Sequence, residues 1–237
     1  MKNILAILIL AICMSSCGPS GYLSREEGGG PPITESLFAD KSSTISEENI
    51  QKILDGTYRM PQQLRVAILK LEGTQRRYYW YSWGDEAYLR TQQAFLDSFT
   101  AKFKQSPRVV KMMAIPDLLV SKSPQSLTSI RESAVRMQAD IVVAYVINSD
   151  IYTKYRSFKS PNIKAYATTQ LIIMDVRTGL VPFSTIVTRD FLAAKKKEEL
   201  DVTEARNRVQ TEAVLLTINE IGKQVNDYLK MDATAKQ

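Results

Sequence analysis

The chain has 237 residues, a formal net charge of +6 at pH 7 and no histidine. The missing imidazole excludes Ser-His-Asp and Cys-His nucleophilic sites and every His-ligated zinc arrangement, because histidine is their usual base or ligand. A chain of this length can bury enough surface to fold as a single domain without disulfides. Catalysis would have to rest on carboxylates, lysines or tyrosines, and no cofactor or metal is predicted.

The amino-terminal segment reads MKNILAILILAICMSSC. Lys2 followed by an apolar run over residues 4–14 is typical of a secretory signal, and the run is too short for the roughly 20 apolar residues that span a bilayer. The closing Met14-Ser15-Ser16-Cys17 resembles the lipobox of bacterial lipoproteins. That resemblance implies that residues 1–16 are a signal peptide and that Cys17 receives diacylglyceryl and palmitate-type acyl chains.

Two other interpretations of Cys17 are a small residue of the apolar run and a disulfide partner of Cys13. Cleavage would remove Cys13, so the predicted mature chain folds without a disulfide. Gly18 follows the cysteine where lipoproteins retained in the inner membrane carry Asp. The resemblance therefore implies an outer-membrane anchor with the domain facing the periplasm. In that compartment the excess of basic residues could keep the protein soluble or could contact anionic lipid headgroups or cell-wall polymers. Nucleic acid is not an expected partner there.

Residues 17–45 are rich in Gly, Pro and Ser and predict a flexible lipid tether, and residues 46–237 predict a single α/β domain. The T-x-x-E pattern from Thr44 to Glu47 predicts a short helix that ends near Gly56. The apolar run over residues 64–71 is short and β-branched, which predicts a buried strand.

Next, the sequence predicts a helix over residues 86–104, a strand over residues 108–115 and a second helix over residues 126–139. Both helices carry apolar residues at helical spacing, which we interpret as core. In the first helix these are Leu89, Phe95, Leu96, Phe99 and Phe103, and in the second they are Leu127, Ile130, Ala134 and Met137.

The apolar period changes to two after Asp140 and predicts strands over residues 141–158, 163–175 and 180–192. Ser160-Pro161-Asn162 and residues 176–179 supply the predicted turns, which are too short for a crossover helix. A helix over residues 202–230 should cover the resulting meander with Val209, Ala213, Leu216, Ile218, Ile221, Val225 and Leu229. The predicted fold is α/β (α+β), with a mixed sheet of about five strands and helices packed against it.

Three short motifs resemble the periplasmic α/β module of the TolB amino-terminal domain, the CsgG curli-secretion lipoproteins and the penicillin-binding-protein activator LpoB. They are the first strand RVAIL, the Ala139-Asp140 pair before an apolar strand, and the Asp-x-x-Thr-Gly turn from Asp175 to Gly179. The resemblance implies a module that binds other proteins or assembles with itself. Gly179 would supply a positive φ in the turn, where Asp175 and Thr178 would bond turn backbone.

Two aromatic stretches are candidate partner-binding sites. The first is RRYYWYSWGD at residues 76–85, where Tyr79, Tyr81 and Trp83 would share one side. Tyr and Trp favour interfaces, but these rings could equally fill the core. The second is the hairpin tip with Tyr152, Lys154 and Arg156, which could instead be a solvated strand end. The run Lys195-Lys196-Lys197-Glu198-Glu199 predicts a solvated loop.

The sequence leaves three functions open. The first is a non-catalytic envelope lipoprotein that binds or regulates another envelope protein. The second is a homo-oligomeric assembly or secretion subunit related to the curli-secretion family, although only one hairpin resembles a pore-forming segment and its tip is basic. The third is a carboxylate enzyme acting on cell-wall glycan through Asp85 and Glu86, for which helix capping is the simpler role of Asp85.

Overall fold

The computed structural model describes residues 47–71, 86–120, 126–156 and 159–234. The predictions for the signal peptide, Cys17 and the tether lie outside these residues. The aromatic stretch with Tyr79, Tyr81, Trp83 and Asp85 also lies outside them.

The described residues form a sheet of β-strands with α-helices packed against it. In chain order the elements are α1 (Glu47–Asp55), β1 (Leu64–Lys70), α2 (Glu86–Phe103), β2 (Val109–Ala114), a 3-10 turn (Asp117–Leu119), α3 (Leu127–Arg136), β3 (Ile141–Arg156), β4 (Lys159–Asp175), β5 (Phe183–Ala194) and α4 (Val202–Thr234).

The sheet has five strands in the order β2-β1-β3-β4-β5 within the described part of the chain. β1 runs parallel to β2 and to β3, whereas β3, β4 and β5 are antiparallel neighbours. Helices connect the parallel strands and short turns connect the antiparallel ones, as the connection lengths require. The predicted mixed sheet, its antiparallel meander and the long carboxy-terminal helix are confirmed.

The larger core lies between one face of the sheet and helices α2 and α4. The Phe99 and Tyr145 rings pack with their centroids 4.5 Å apart, and burial raises the pKa of Tyr145 to about 12. On α2 and α4 the predicted apolar stripes are confirmed except at Leu89 and Leu216, which are exposed. On α4 the buried position belongs to Thr217, whose hydroxyl donates to the Val214 carbonyl at 2.6 Å.

A smaller core lies under α3 on the opposite face of the sheet. Ile130 and Ala134 pack there against a patch of short and apolar side chains from β1, β3 and β4, which are Ala67, Leu69, Val142 and Met174. The predicted stripe of this helix is wrong at Leu127, which is half exposed. A reciprocal capping box between Ser126 and Ser129 starts α3 at this place.

The predicted turn at Ser160-Pro161-Asn162 is wrong, because β4 already begins at Lys159. The β3–β4 register shifts between Lys154 and Arg156, and Pro161 lies beside this irregularity. Proline has no N–H to donate to a sheet ladder, so an interrupted ladder is where a strand tolerates it. β5 likewise begins at Phe183 and not at Leu180.

The predicted turn between β4 and β5 is confirmed. The Asp175 carboxylate accepts hydrogen bonds from the Thr178 backbone N–H at 2.7 Å and from the Thr178 hydroxyl at 2.8 Å. Gly179 adopts φ 78°, a left-handed conformation that glycine accepts without strain. The resemblance motif at this turn therefore has a structural role.

Candidate functional site

The meander strands β3, β4 and β5 extend the sheet beyond β1. The last β1 residue, Lys70, is in register with Tyr145, and the Leu71 N–H donates to the Tyr145 carbonyl at 2.8 Å. β3 continues from there to Arg156 with β4 and β5 beside it. The result is a three-stranded extension of the sheet.

One face of the extension is covered by α4. Ile163, Ala165 and Ala167 of β4 are completely buried there. Polar bonds add to the packing, since Gln210 donates to the Ser149 hydroxyl at 2.5 Å and Arg206 donates to the Thr153 hydroxyl at 2.8 Å. This face is therefore fixed to the long helix.

The opposite face of the extension carries large exposed side chains. Successive strand residues point to opposite faces, so the registers place one set of alternate residues together. We call this set the open face, and its members are Val146, Asn148, Asp150, Tyr152, Lys164, Tyr166, Thr168, Gln170, Ile186, Thr188, Asp190 and Leu192. The exposed fractions are 58% for Tyr152, 68% for Ile186 and 60% for Leu192.

No helix in the described part of the chain packs on the open face. The helix on that side of the sheet is α3, and its buried residues Ile130 and Ala134 contact the region of Ala67, Val142 and Met174. That region lies at the other end of the strands, where β1 is still present. Among the described elements, helices thus cover both faces of the sheet at one end and one face at the other.

A cross-strand cluster occupies the middle of the open face. The Tyr152 and Tyr166 rings meet edge to face at 6.0 Å between centroids. The Lys164 ammonium lies 4.7 Å from the centroid of Tyr166 and 2.9 Å from the Asp190 carboxylate. Hydrogen bonds to Tyr166 and then to Asp190 raise the pKa of Lys164, so its positive charge is stabilised.

The open face is suited to contact with another macromolecule. Tyrosine rings supply large contact area with few rotatable bonds, and each carries a polar tip. Cross-strand contacts already hold Tyr152, Tyr166, Lys164 and Asp190 in place. A partner would therefore spend little conformational entropy on ordering them.

The predicted hairpin site is placed in part on this surface. Tyr152 lies on the open face, and Lys154 is exposed near the end of β3. The Arg156 backbone ends β3 in register with Lys159, whereas its side chain lies outside the description.

Of the two proposed catalytic carboxylates, Glu86 forms an exposed ion pair with Arg90 one turn along α2.

Of the twelve open-face residues, only Tyr152 was a candidate partner-binding residue in the sequence, and five of those missed carry the exposed apolar, aromatic and charged groups. They are Lys164, Tyr166, Ile186, Asp190 and Leu192, and they come from two strands other than the one that carries Tyr152. Strand alternation groups Lys164 with Tyr166, but only the registers of three strands bring Asp190 beside Lys164.

A second charged pair lies at the other end of the strands. The Asp140 carboxylate accepts hydrogen bonds from the Arg65 side chain at 2.8 and 3.0 Å and from the Arg65 backbone N–H at 2.9 Å. The side-chain hydrogen bond to Arg65 lowers the pKa of Asp140. This pair joins the start of β3 to β1, so its role is structural.

Within the described residues, no three or more Cys, Asp or Glu side chains are grouped so as to hold a metal ion. None of their helices combines the length and the apolar composition of a membrane-spanning helix.

No protein-family model matches this chain, and no curated protein matches it. Several solved structures are similar to it at low identity. A hypothetical protein from Chlamydia trachomatis is 16% identical with a TM-score of 0.41, and the match covers 70% of this chain and 98% of that one. The PelC dodecamer from Paraburkholderia phytofirmans is 13% identical with a TM-score of 0.35, over 67% and 87% of the two chains. A lipoprotein from Neisseria meningitidis is 10% identical with a TM-score of 0.35, over 69% and 98%.

Proposed function

We propose that this chain is a lipid-anchored lipoprotein of the outer membrane and that its domain is a non-catalytic protein-interaction or regulatory module facing the periplasm. The open face is the observation that carries the interaction role. The Met14-Ser15-Ser16-Cys17 sequence supports the anchor, because two or three acyl chains hold a protein durably on a bilayer. The resemblance of its strand and turn motifs to periplasmic interaction modules supports the compartment.

The composition of the open face favours a protein partner. Tyr152, Tyr166, Ile186 and Leu192 provide apolar and aromatic area, and a single ion pair between Lys164 and Asp190 lies among them. Protein interfaces combine an aromatic and aliphatic centre with a few fixed polar groups in this way. The neighbouring Thr168 and Thr188 hydroxyls form a hydrogen bond with each other at 2.9 Å, which joins β4 to β5 on this face.

Photo-crosslinking in intact cells tests the interaction role. A photoreactive residue at Thr188 lies in the open face, and one at Lys111 on β2 serves as the control because it is exposed at the opposite edge of the sheet. We expect a discrete adduct from position 188 and none of that mass from position 111. Combining the probe with Tyr166→Ala and Ile186→Ser should remove the adduct, since both large contacts are lost.

Three results decide between the candidate roles. The same adducts from both positions, or none from position 188, would contradict an interaction role for the open face. An adduct of twice the chain mass would instead favour the homo-oligomeric assembly subunit. For the anchor, Cys17→Ala should leave the chain unprocessed and without acyl mass; membrane-bound protein of unchanged mass would refute lipidation.

A further inference from the structure

Basic residues converge at the end of the sheet that carries the β3–β4 turn. β3 contributes Lys154, β4 begins at Lys159, and Lys195-Lys196-Lys197 follows β5. The Lys195 N–H donates to the Pro161 carbonyl at 3.1 Å, so this run starts beside the first residues of β4. We call the five residues Lys154, Lys159, Lys195, Lys196 and Lys197 the basic end.

These charges are close enough to act together. Lys154 is in register with Asn162, which is in register with Ala194, so the three strand ends lie side by side. Adjacent strands lie about 5 Å apart, which is within the Debye length of about 8 Å at physiological ionic strength, so charges on neighbouring strand ends are not fully screened from each other.

The acidic residues near the basic end are mostly engaged elsewhere. Glu199 is buried, pairs with the Arg208 side chain and accepts from the Lys196 N–H at 2.6 Å. Asp201 and Glu204 accept from backbone N–H groups at the start of α4, at 2.8 and 2.7 Å. Glu198 is exposed and is the remaining acid of this connection.

The cations themselves are largely uncompensated. Two of them interact with Glu199: the Lys195 ammonium donates to its carbonyl at 2.5 Å, and the pKa of its carboxyl is lowered by the Arg208 hydrogen bond, to which the Lys196 charge adds. Among the described residues, the ammonium groups of Lys154, Lys159, Lys196 and Lys197 form no ion pair, and all four side chains are exposed. The basic end therefore presents positive charge outward.

An exposed aromatic ring accompanies these charges. Tyr155 lies between Lys154 and Arg156 at the end of β3 and is 72% exposed. Tyrosine rings favour the headgroup level of a bilayer, and lysine side chains reach phosphate groups there while their stems stay in apolar surroundings.

We propose that the basic end docks on an anionic lipid bilayer. This inference goes beyond the interaction role of the open face and rests on the described residues, not on acylation of Cys17. The two surfaces adjoin, since Tyr152 of the open face precedes Lys154 by two residues. Docking would orient the open face along the membrane, where a partner in the same envelope layer can reach it.

Vesicle sedimentation tests this proposal with the full chain carrying Cys17→Ala, which has no acyl chain. Its binding to phosphatidylcholine vesicles measures the contribution of the apolar amino-terminal run. Binding to vesicles that also contain phosphatidylglycerol adds the charge contribution, and we expect it to be at least about tenfold stronger. Replacing Lys154, Lys159, Lys196 and Lys197 with Gln should abolish this preference, and rising salt should reduce it.

A matched variant carries Lys104→Gln, Lys111→Gln, Lys223→Gln and Lys230→Gln. It loses the same charge from exposed positions away from the basic end, and we expect its preference to stay within about twofold of the parent. Circular dichroism of both variants checks that they fold like the parent. The proposal is overturned if the basic-end variant keeps the preference, or if the matched variant loses as much.

Soluble polyglutamate separates a lipid surface from an acidic protein partner. Binding of polyglutamate without any preference for anionic vesicles would also overturn the proposal. These outcomes are independent of the crosslinks from position 188, so the failure of one proposal is distinguishable from the failure of the other.

Discussion

Asp140 shows how one side chain can join two strands that are far apart in the sequence. Its carboxylate bonds both the side chain and the backbone N–H of Arg65, and its own backbone N–H donates to the Arg65 carbonyl at 2.8 Å. The Asp140 carbonyl in turn accepts from the Val176 N–H at 3.0 Å. One residue thus connects β1, β3 and the turn after β4.

Asp140→Asn should destabilise the protein by about 1–3 kcal/mol at pH 7, because a charged, hydrogen-bonded carboxylate is replaced by a neutral amide. Urea unfolding of the parent and the variant measures the difference. Glu132→Gln is the control, since Glu132 and Arg136 form an exposed pair at 4.0 Å, and its effect should stay below about 0.5 kcal/mol.

The same pair predicts a pH dependence. Because Arg65 lowers the pKa of Asp140 in the folded protein, the carboxylate stabilises the fold above its ordinary pKa of about 3.9. That contribution disappears as the pH falls through the lower folded-state pKa. The stability gap between the parent and Asp140→Asn should therefore shrink below about pH 4. A gap that is the same at pH 3 and pH 7 would contradict the ionic contribution.

At the scale of elements, α2 and α4 approach each other closely at Gly222. A Cβ atom added there would lie 2.8 Å from the Lys102 Cβ and 2.7 Å from its Cγ. The Asn226 side chain, one turn later, donates to the Lys102 carbonyl at 3.1 Å. The absence of a side chain at Gly222 therefore sets the distance between the two helices.

Gly222→Ala should destabilise the protein by about 1–2 kcal/mol, although alanine has the better helix propensity by about 1 kcal/mol. The reason is that the stem of Lys102, close to its own backbone, has to move. Thermal unfolding of the variant gives the magnitude. Adding Lys102→Ala should recover part of the loss, since the Cγ and Cδ contacts disappear.

Lys223→Ala controls for helix propensity in this comparison, because Lys223 is the exposed neighbour of Gly222 with a side chain 74% exposed. It should change stability by no more than about 0.5 kcal/mol. If Gly222→Ala is as stable as the parent, the helices have room to adjust and the close approach is not a constraint.

The element order and strand directions follow from the sequence because they depend on connection lengths. A helix between β1 and β2 or between β2 and β3 favours parallel strands, and a few turn residues force antiparallel ones. The prediction of a turn at Pro161 was wrong because proline is compatible both with a turn and with an interrupted strand. The prediction that Leu216 is buried was wrong because the Thr217 hydroxyl donates to the Val214 carbonyl, so Thr217 can take the buried position.

The open face was harder to predict than the fold. Tyr152 could be singled out because aromatic and basic residues alternate near it, whereas its contact with Tyr166 depends on the β3–β4 register. Placing Asp190 beside Lys164 requires the β4–β5 register as well. A slip of one residue would move each of these side chains to the other face, and the sequence pattern does not fix register to that accuracy.

At the scale of the whole molecule, the two ends of the sheet differ in how they are covered. Near Val142 and Val143 the strands lie between α3 on one face and α2 with α4 on the other, and both residues are completely buried. Beyond Tyr145, α4 covers one face, and no helix of the described ranges packs on the other. Within the described residues, β3 also loses its β1 neighbour there.

This asymmetry predicts two classes of backbone amide in hydrogen exchange, because local opening is cheapest where few apolar contacts must break. Amides of residues 66–70 and 141–145 should exchange only through global unfolding, with a rate that rises steeply with urea. Amides of residues 147–156 should exchange at least about tenfold faster, with a rate that depends weakly on urea. Mass spectrometry of peptic fragments resolves the two segments of β3, so the near segment serves as the internal control for the far one. Equal protection along the whole of β3 would mean that covering one face with α4 is sufficient, and that the extension opens only together with the rest of the domain.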